Sequence, residues 1–184
     1  MAQRVCPWWI GYLLASPLRR LLQDPAAILG PYVAEGMTVL EPGPGMGFFT
    51  LELARRAGPT GRVVAVDLQP KMLEGLRRRA ARAGLADRIE TRLTGADGLG
   101  VDDLAGRVDL AVAIAVVHEL PDAGRFFAEV AQALAPGGRL LLAEPRGHVS
   151  DGEFAGTLAA AAASGLREVD RPSIPRSVSA LMAR

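Results

Sequence analysis

The chain has 184 residues, of which 49% are hydrophobic and 22% are charged, so we expect one folded domain with a buried core and exclude a disordered chain. Its formal net charge is +1 and its arginines are scattered along the sequence, which argues against the concentrated basic surface of a nucleic-acid-binding protein. The longest apolar stretch, residues 110–117, is far shorter than the roughly 20 residues of a membrane-spanning helix. No secretory signal is evident, so we expect a cytoplasmic protein.

The first 37 residues lack the strand pattern of the rest of the chain. Ser16-Pro17 and Asp24-Pro25 each place a capping residue before a proline, which predicts two short helices. An aromatic cluster precedes them and consists of Trp8, Trp9 and Tyr12. The only cysteine of the sequence leaves no disulfide framework and no multi-cysteine metal site, so we expect no metal.

From residue 38 onward, short apolar strands alternate with helical patterns. Strands are predicted over residues 38–42, 62–67, 88–93, 108–115 and 139–144. Helices are predicted over residues 48–57, 70–83, 121–135 and 150–164. This alternation is typical of an α/β fold with a mostly parallel sheet and helices on both faces. The arginine-rich run at 77–82 is interpreted as the solvated face of the second of these helices.

The carboxyl-terminal part interrupts this alternation. Residues 166–171 and 177–183 both have the pattern of strands, and only "PSIPR" separates them. A parallel return requires a connection of about a dozen residues or more, so these two strands are predicted to pair antiparallel. An ordinary dinucleotide-binding sheet would continue with another crossover helix instead.

A glycine-rich turn follows the first predicted strand. Gly43, Gly45 and Gly47 permit positive backbone dihedral angles and remove side chains where a ligand could approach the main chain, although a purely structural turn is the alternative. Their spacing is G-x-G-x-G, and the last glycine of a dinucleotide fingerprint falls on Phe48. The turn therefore lacks a glycine associated with pyrophosphate recognition.

Acidic residues accompany the ends of three successive strands. Glu41 precedes the glycine turn, Asp67 ends the second strand, and Asp97 follows the third. Each alone has the simpler interpretation of a loop or capping residue. Because open α/β sheets bind ligands at the carboxyl ends of their strands, the three together indicate a ligand site, with Asp67 suited to the hydroxyls of a ribose.

The ordered motifs "VLEPGPGMG", "VVAVDLQPKML", "GADGLG", "VDLAVAIAVVHELPD" and "LAPGGRLLLAEP" resemble those of class I S-adenosylmethionine-dependent methyltransferases, especially the ubiquinone and menaquinone methyltransferase-like branch. The resemblance implies a Rossmann-like seven-stranded sheet in the order 3-2-1-4-5-7-6 with strand 7 antiparallel. It also implies S-adenosylmethionine as cofactor, S-adenosylhomocysteine as product and a small-molecule acceptor.

The same resemblance implies roles for individual residues. Gly43, Gly45 and Gly47 line the methionine portion of the cofactor, and Glu41 faces its amino group. Asp67 holds the ribose. The adenine is assigned to four further residues, namely Leu68, Met72, Asp97 and the backbone of Gly98. Gln69 departs from the family pattern, in which a helix-capping Ser or Asn is common, and this places the local turn geometry in question.

The acceptor is less well specified. His118 follows the fourth strand and is the candidate base, although similar proteins with different acceptors often carry a histidine there. Arg146 and His148 are candidates for contact with a polar or anionic acceptor, together with Glu144. Residues 1–37 are predicted to be a lid over residues 38–184. In this lid Trp8, Trp9 and Tyr12 either form a wall for the acceptor or pack on the sheet edge.

The sequence disfavours two kinds of acceptor and leaves two other functions as alternatives. The lone cysteine does not support arsenite methylation, and "AIAV" stands where methyltransferases of planar amines carry an Asn-Pro-Pro-Tyr type of motif. The alternative functions are a nicotinamide-dependent oxidoreductase and a non-catalytic protein that retains the fold. Neither the acceptor atom nor the oligomeric state follows from the sequence.

Overall fold

The computed structural model describes Trp9, Gly11, Arg19, residues 22–95 and residues 98–184. Three of the predicted site residues, Trp8, Tyr12 and Asp97, lie outside the described residues, as does most of the helix predicted after Ser16. The chain divides into two compact units, one within residues 5–96 and one within residues 97–184. Each unit is built from strands that alternate with helices.

The first unit contains three parallel strands, with β1 paired to β2 and β2 paired to β3. Its elements in chain order are α1 (Pro25–Leu29), β1 (Thr38–Pro42), α2 (Thr50–Ala57), β2 (Arg62–Asp67), α3 (Pro70–Arg82) and β3 (Ile89–Leu93). Asp24 caps α1 by accepting a hydrogen bond from the backbone of Ala26, as the Asp24-Pro25 signal predicts. Helix α3 packs on the sheet through Leu73 and Leu76, which are fully buried.

The second unit contains four strands. Its elements are β4 (Val108–Ile114), α4 (Ala123–Ala133), β5 (Leu134–Pro145), α5 (Asp151–Ala163), β6 (Arg167–Asp170) and β7 (Ser177–Ala183). Strands β4 and β5 are parallel, whereas β7 pairs antiparallel with both β5 and β6. Every residue of β7 is buried, while β6 is exposed. The short connection between β6 and β7 thus produces the antiparallel pair that the sequence predicts.

The seven strands have the order β3-β2-β1-β4-β5-β7-β6, which confirms the predicted fold. Some predicted boundaries were wrong. Helix α4 begins at Ala123 instead of residue 121, because Asp122 caps it and accepts a hydrogen bond from the backbone of Arg125. Strand β5 begins at Leu134 instead of residue 139, since Leu134 already pairs with Val108 across an irregularity in the register. Within the described residues, no helix has the length and apolarity needed to span a membrane.

Candidate functional site

The glycine turn between β1 and α2 has the backbone conformation that only glycine adopts easily. The φ angles of Gly43, Gly45 and Gly47 are 65°, 54° and 83°. The turn is held by two backbone hydrogen bonds, from Gly43 N to Val66 O (2.8 Å) and from Gly47 N to Pro44 O (2.9 Å). A Cβ atom placed on Gly45 would meet no atom within 4 Å, so open space borders the turn at this residue.

Glu41 places a carboxylate at the end of β1, two residues before this turn. The residue is only 4% exposed, and its Oε2 atom has no hydrogen-bond partner among the described residues. Burial raises the pKa of Glu41 to about 8; the neighbouring charge of Asp67 adds to the increase, and the nearby hydroxyl of Thr50 opposes it. A buried polar atom without a partner is costly, so Glu41 is suited to a ligand that carries a cation or a hydrogen-bond donor.

Asp67 ends the neighbouring strand and is also buried. Its Oδ1 atom accepts a hydrogen bond from the backbone N–H of Gln69 (2.8 Å), the residue that precedes α3. The side chain of Gln69 makes no capping hydrogen bond, so the carboxylate of Asp67 takes part in ordering the start of the helix that the family's usual Ser or Asn would cap. Beyond it, Leu68 is half-buried and Met72 is buried.

Described residues of the amino-terminal segment contact the glycine turn and its neighbours. A Cβ atom on Gly11 would overlap the side chain of Met72 and crowd that of Met46, which shows how closely the backbone of Gly11 approaches them. The guanidinium group of Arg19 lies over the ring of Phe48, with 4.4 Å between Cζ and the ring centroid. Trp9, in contrast, is 62% exposed.

In the second unit, His118 is joined to Glu144 by a hydrogen bond between Nδ1 and Oε2. Glu144 is 1% exposed, and its Oε1 atom accepts hydrogen bonds from the backbone N–H groups of Val117 (2.8 Å) and Val116 (3.3 Å). These donors stabilise a carboxylate, and a carboxylate at Nδ1 fixes the proton of a neutral imidazole on that nitrogen. The Nε2 atom of His118 is then left as the acceptor.

The electrostatic surroundings of His118 favour its charged form. The hydrogen bond that His118 donates to Glu144 raises the pKa of His118, burial opposes the increase, and the negative charges of Glu144 and Glu119 add to it. The Nε2 atom lies 4.0 Å from Glu119 Oε1. The ring of His148 contacts that of His118 edge to face, with 5.4 Å between centroids. Arg146 is instead paired with Asp151 at the surface, 3.5 Å apart.

A further carboxylate, Glu129 of α4, organises the loop that follows β3. Its Oε2 atom accepts a hydrogen bond from the backbone N–H of Leu99 (2.5 Å), and its Oε1 atom accepts one from Arg125 (3.1 Å). Gly98 lies against this pair, and its φ of 145° is strained for any residue with a side chain. Sequence reasoning missed Glu129, because its position on α4 has only the pattern of a solvated helical residue.

The sequence of residues 39–138 matches the family of methyltransferase domains, and these residues make up more than half of the chain. The chain belongs to this family. The solved methyltransferase structures share its fold: an S-adenosylmethionine-dependent methyltransferase from Aquifex aeolicus superposes with a TM-score of 0.85 at 23% identity, over 97% of this chain and 98% of that one. The cofactor of the family and of this chain is S-adenosylmethionine.

Two curated relatives carry names with different acceptors. An arsenite methyltransferase from Halobacterium salinarum is 34% identical over 61% of this chain and 28% of its own length. A ubiquinone/menaquinone biosynthesis C-methyltransferase from Hydrogenovibrio crunogenus is 29% identical over 61% of this chain and 43% of its own length. The chain therefore spans less than half the length of either relative.

The residues of the first unit fit S-adenosylmethionine. The cofactor carries an ammonium group, which suits the buried and unpartnered oxygen of Glu41. Its methionine portion must approach the main chain where no side chain intervenes, and the open space at Gly45 permits this approach. Asp67 lies close enough to Glu41 to affect its pKa, so the structure brings together the carboxylates predicted to face the amino group and the ribose of one ligand.

Proposed function

We propose that this methyltransferase transfers a methyl group from S-adenosylmethionine to a small molecule, and that His118 accepts the proton which the acceptor loses. The observation that carries the proposal is the His118–Glu144 pair, a buried carboxylate that holds an imidazole with Nε2 as its acceptor. Both residues stand at the carboxyl ends of parallel strands, where open α/β sheets bind their ligands.

S-adenosylmethionine supplies, when bound, a methyl carbon on a positively charged sulfur that is already a good leaving group. The protein must therefore align the acceptor and exclude water more than it must activate the donor. Glu41 is assigned to the ammonium group, the turn of Gly43, Gly45 and Gly47 to the methionine portion, and Asp67 to the ribose. Leu68, Met72 and Gly98 are assigned to the adenine, as is Asp97, which lies outside the described residues.

Nε2 of His118 would accept the proton that the acceptor loses, and bound S-adenosylmethionine would supply the methyl group, with sulfur as the leaving group. A base is needed when the acceptor is a hydroxyl group or a weakly acidic carbon, and not when it is already an anion. The proposal therefore favours an acceptor with an O–H or an acidic C–H bond, and the quinone-pathway relative is named for transfer to carbon. His148, in contact with His118, and Arg146 are assigned to the acceptor's polar groups.

Residues 1–37 are proposed to act as a lid on the domain of residues 38–184. Support comes from Gly11 and Arg19, which contact Met46 and Phe48 in and after the glycine turn. Trp9 has most of its surface exposed and is therefore available to an apolar acceptor, and Trp8 and Tyr12 are assigned to the same wall.

The test is methyl transfer from S-adenosylmethionine with a labelled methyl group to a cell extract that has been fractionated by molecular size. Label in the small-molecule fraction is expected with the native chain, and label confined to protein or RNA would contradict the proposed acceptor. His118→Gln is expected to bind the cofactor normally and to label the acceptor at least a hundredfold more slowly, since general bases contribute roughly 10²–10⁴-fold. Normal cofactor binding with no labelled product in any fraction would favour a non-catalytic protein.

A further inference from the structure

The glycine turn is in close contact with helix α3 at Met46 and Gly47. A Cβ atom on Gly75 would lie 2.8 Å from Cγ and 2.9 Å from Sδ of Met46, and one on Gly47 would overlap Cδ1 of Leu76. The same face of α3 carries Arg79, one helical turn after Gly75, and its Nη1 atom donates a hydrogen bond to the carbonyl oxygen of Met46 (2.6 Å). Helix α3 therefore supports the turn at Met46 and Gly47, whereas the space at Gly45 is open.

The peptide group that joins Met46 to Gly47 is held at both of its polar atoms. Its carbonyl oxygen accepts the hydrogen bond from Arg79, and its N–H donates to Pro44 O at 2.9 Å. Gly45 and Gly47 on either side have φ angles of 54° and 83°, and glycine moves between positive and negative φ at little cost. A turn of this composition has little stiffness of its own, so the charged hydrogen bond from Arg79 adds a restraint on the rotation of this peptide from outside the turn.

We propose that Arg79 is a positioning residue for cofactor binding: it fixes the peptide between Met46 and Gly47, and so keeps the glycine turn in the shape that receives S-adenosylmethionine. This inference rests on the assignment of the cofactor to the glycine turn and is independent of His118 and of the acceptor. Without Arg79 the free chain populates other conformations of the turn, and binding must first select the competent one, which weakens the apparent affinity.

The test is titration calorimetry of the full chain with S-adenosylhomocysteine as probe. Arg79→Met keeps the aliphatic stem that an arginine packs and removes the donor. Its Kd is expected to rise about tenfold, and Arg79→Lys, which retains a charged donor, should recover part of the loss. Arg82→Met is the matched control, because Arg82 is the exposed arginine in the last turn of the same helix and its removal changes the charge equally.

The amide signals of Gly45 and Gly47 in a ¹H–¹⁵N spectrum give a second readout. They are expected to shift or broaden in Arg79→Met and to stay unchanged in Arg82→Met, whereas a general loss of stability would not single out these two glycines. A native Kd in Arg79→Met would overturn the inference while leaving the cofactor site intact. If that variant does not fold, Arg79→Gln takes its place with the same expected weakening. A native chain that does not bind the probe would refute the site assignment and the inference together.

Discussion

Replacement of Glu41 by Gln tests whether the buried carboxyl group beside the glycine turn has a raised pKa and binds the ammonium group of the cofactor. In the folded chain burial holds the pKa of Glu41 near 8, against an ordinary value of 4.5. Between these values the folded state binds a proton that the unfolded state has lost, so stability falls as the pH rises. The slope is about 1.4 kcal/mol per pH unit, and the whole difference between the two values corresponds to roughly 5 kcal/mol.

Glutamine has nearly the same shape and does not ionise, so Glu41→Gln removes this slope. Its free energy of unfolding relative to the native chain is therefore expected to rise by about 1.4 kcal/mol for each pH unit between 5 and 8. Any cost of burying the amide itself is the same at every pH and does not affect the slope. Urea unfolding at four pH values measures it, and Glu74→Gln, at an exposed position of α3, is the control.

Cofactor binding provides the second arm of the same experiment. If the ammonium group of S-adenosylmethionine lies beside Glu41, binding at pH 7 must drive the proton off this carboxyl group. Calorimetry in buffers of different ionisation enthalpy is expected to show release of up to one proton by the native chain and less by Glu41→Gln. A constant stability difference between pH 5 and 8 would refute the reasoning about burial, and equal proton release would refute the placement of the ammonium group.

Three further predictions concern other parts of the chain. Gly45→Ala and Gly84→Ala each add a methyl group at a positive φ, of 54° and 67°, where no atom lies within 4 Å. Both variants should therefore lose about 1–2 kcal/mol of stability. Only Gly45→Ala should also weaken cofactor binding, as measured by calorimetry. Glu144→Gln should move the acidic limb of the kcat profile to lower pH, because the pKa of His118 loses its main cause of increase. Deletion of residues 1–15 should leave a folded sheet by circular dichroism and reduce turnover.

Each of these predictions has an outcome that contradicts it. Equal cofactor affinity in the Gly45→Ala and Gly84→Ala variants would contradict the placement of the cofactor at the glycine turn. An unchanged pH profile in Glu144→Gln would mean that His118 is not the group that titrates in the reaction. An unfolded deletion variant would show that the amino-terminal aromatic residues belong to the core, and that residues 1–37 are not a lid.

Much of the fold could be predicted from the sequence, because its determinants are local. Strand β2 is a run of apolar residues between an exposed arginine and a terminal aspartate, and the capping box of α5 is formed by Ser150 and Glu153, three residues apart. The antiparallel direction of β7 follows from a connection too short for a crossover. In each of these cases a pattern within about ten residues was sufficient to predict the element or its direction. The boundaries were less accurate, since the start of α4 depends on the side chain of Asp122.

The contacts of the candidate site could not be predicted in the same way, because they join residues that are distant along the chain. Glu144 meets His118 across 26 residues, and Arg79 meets Met46 across 33. Periodicity assigns a residue to a face of a helix but does not give the direction or reach of a long side chain. For this reason the interpretation of residues 77–82 as a solvated face is wrong for Arg79, which is half-buried and turns toward the glycine turn.

The proposed cofactor site and the proposed base can be tested separately, because their residues belong to different parts of the chain. Glu41, Gly45 and Arg79 all lie within residues 5–96 and act on the shape or charge of the proposed cofactor site, so their variants should change the Kd of the cofactor. His118 and Glu144 lie within residues 97–184 and are joined by a hydrogen bond of their own, so their variants should change kcat and its pH dependence at a constant Kd. A Glu144→Gln chain that lost cofactor affinity would contradict this division, since it would mean that the carboxylate supports the nucleoside and not the base.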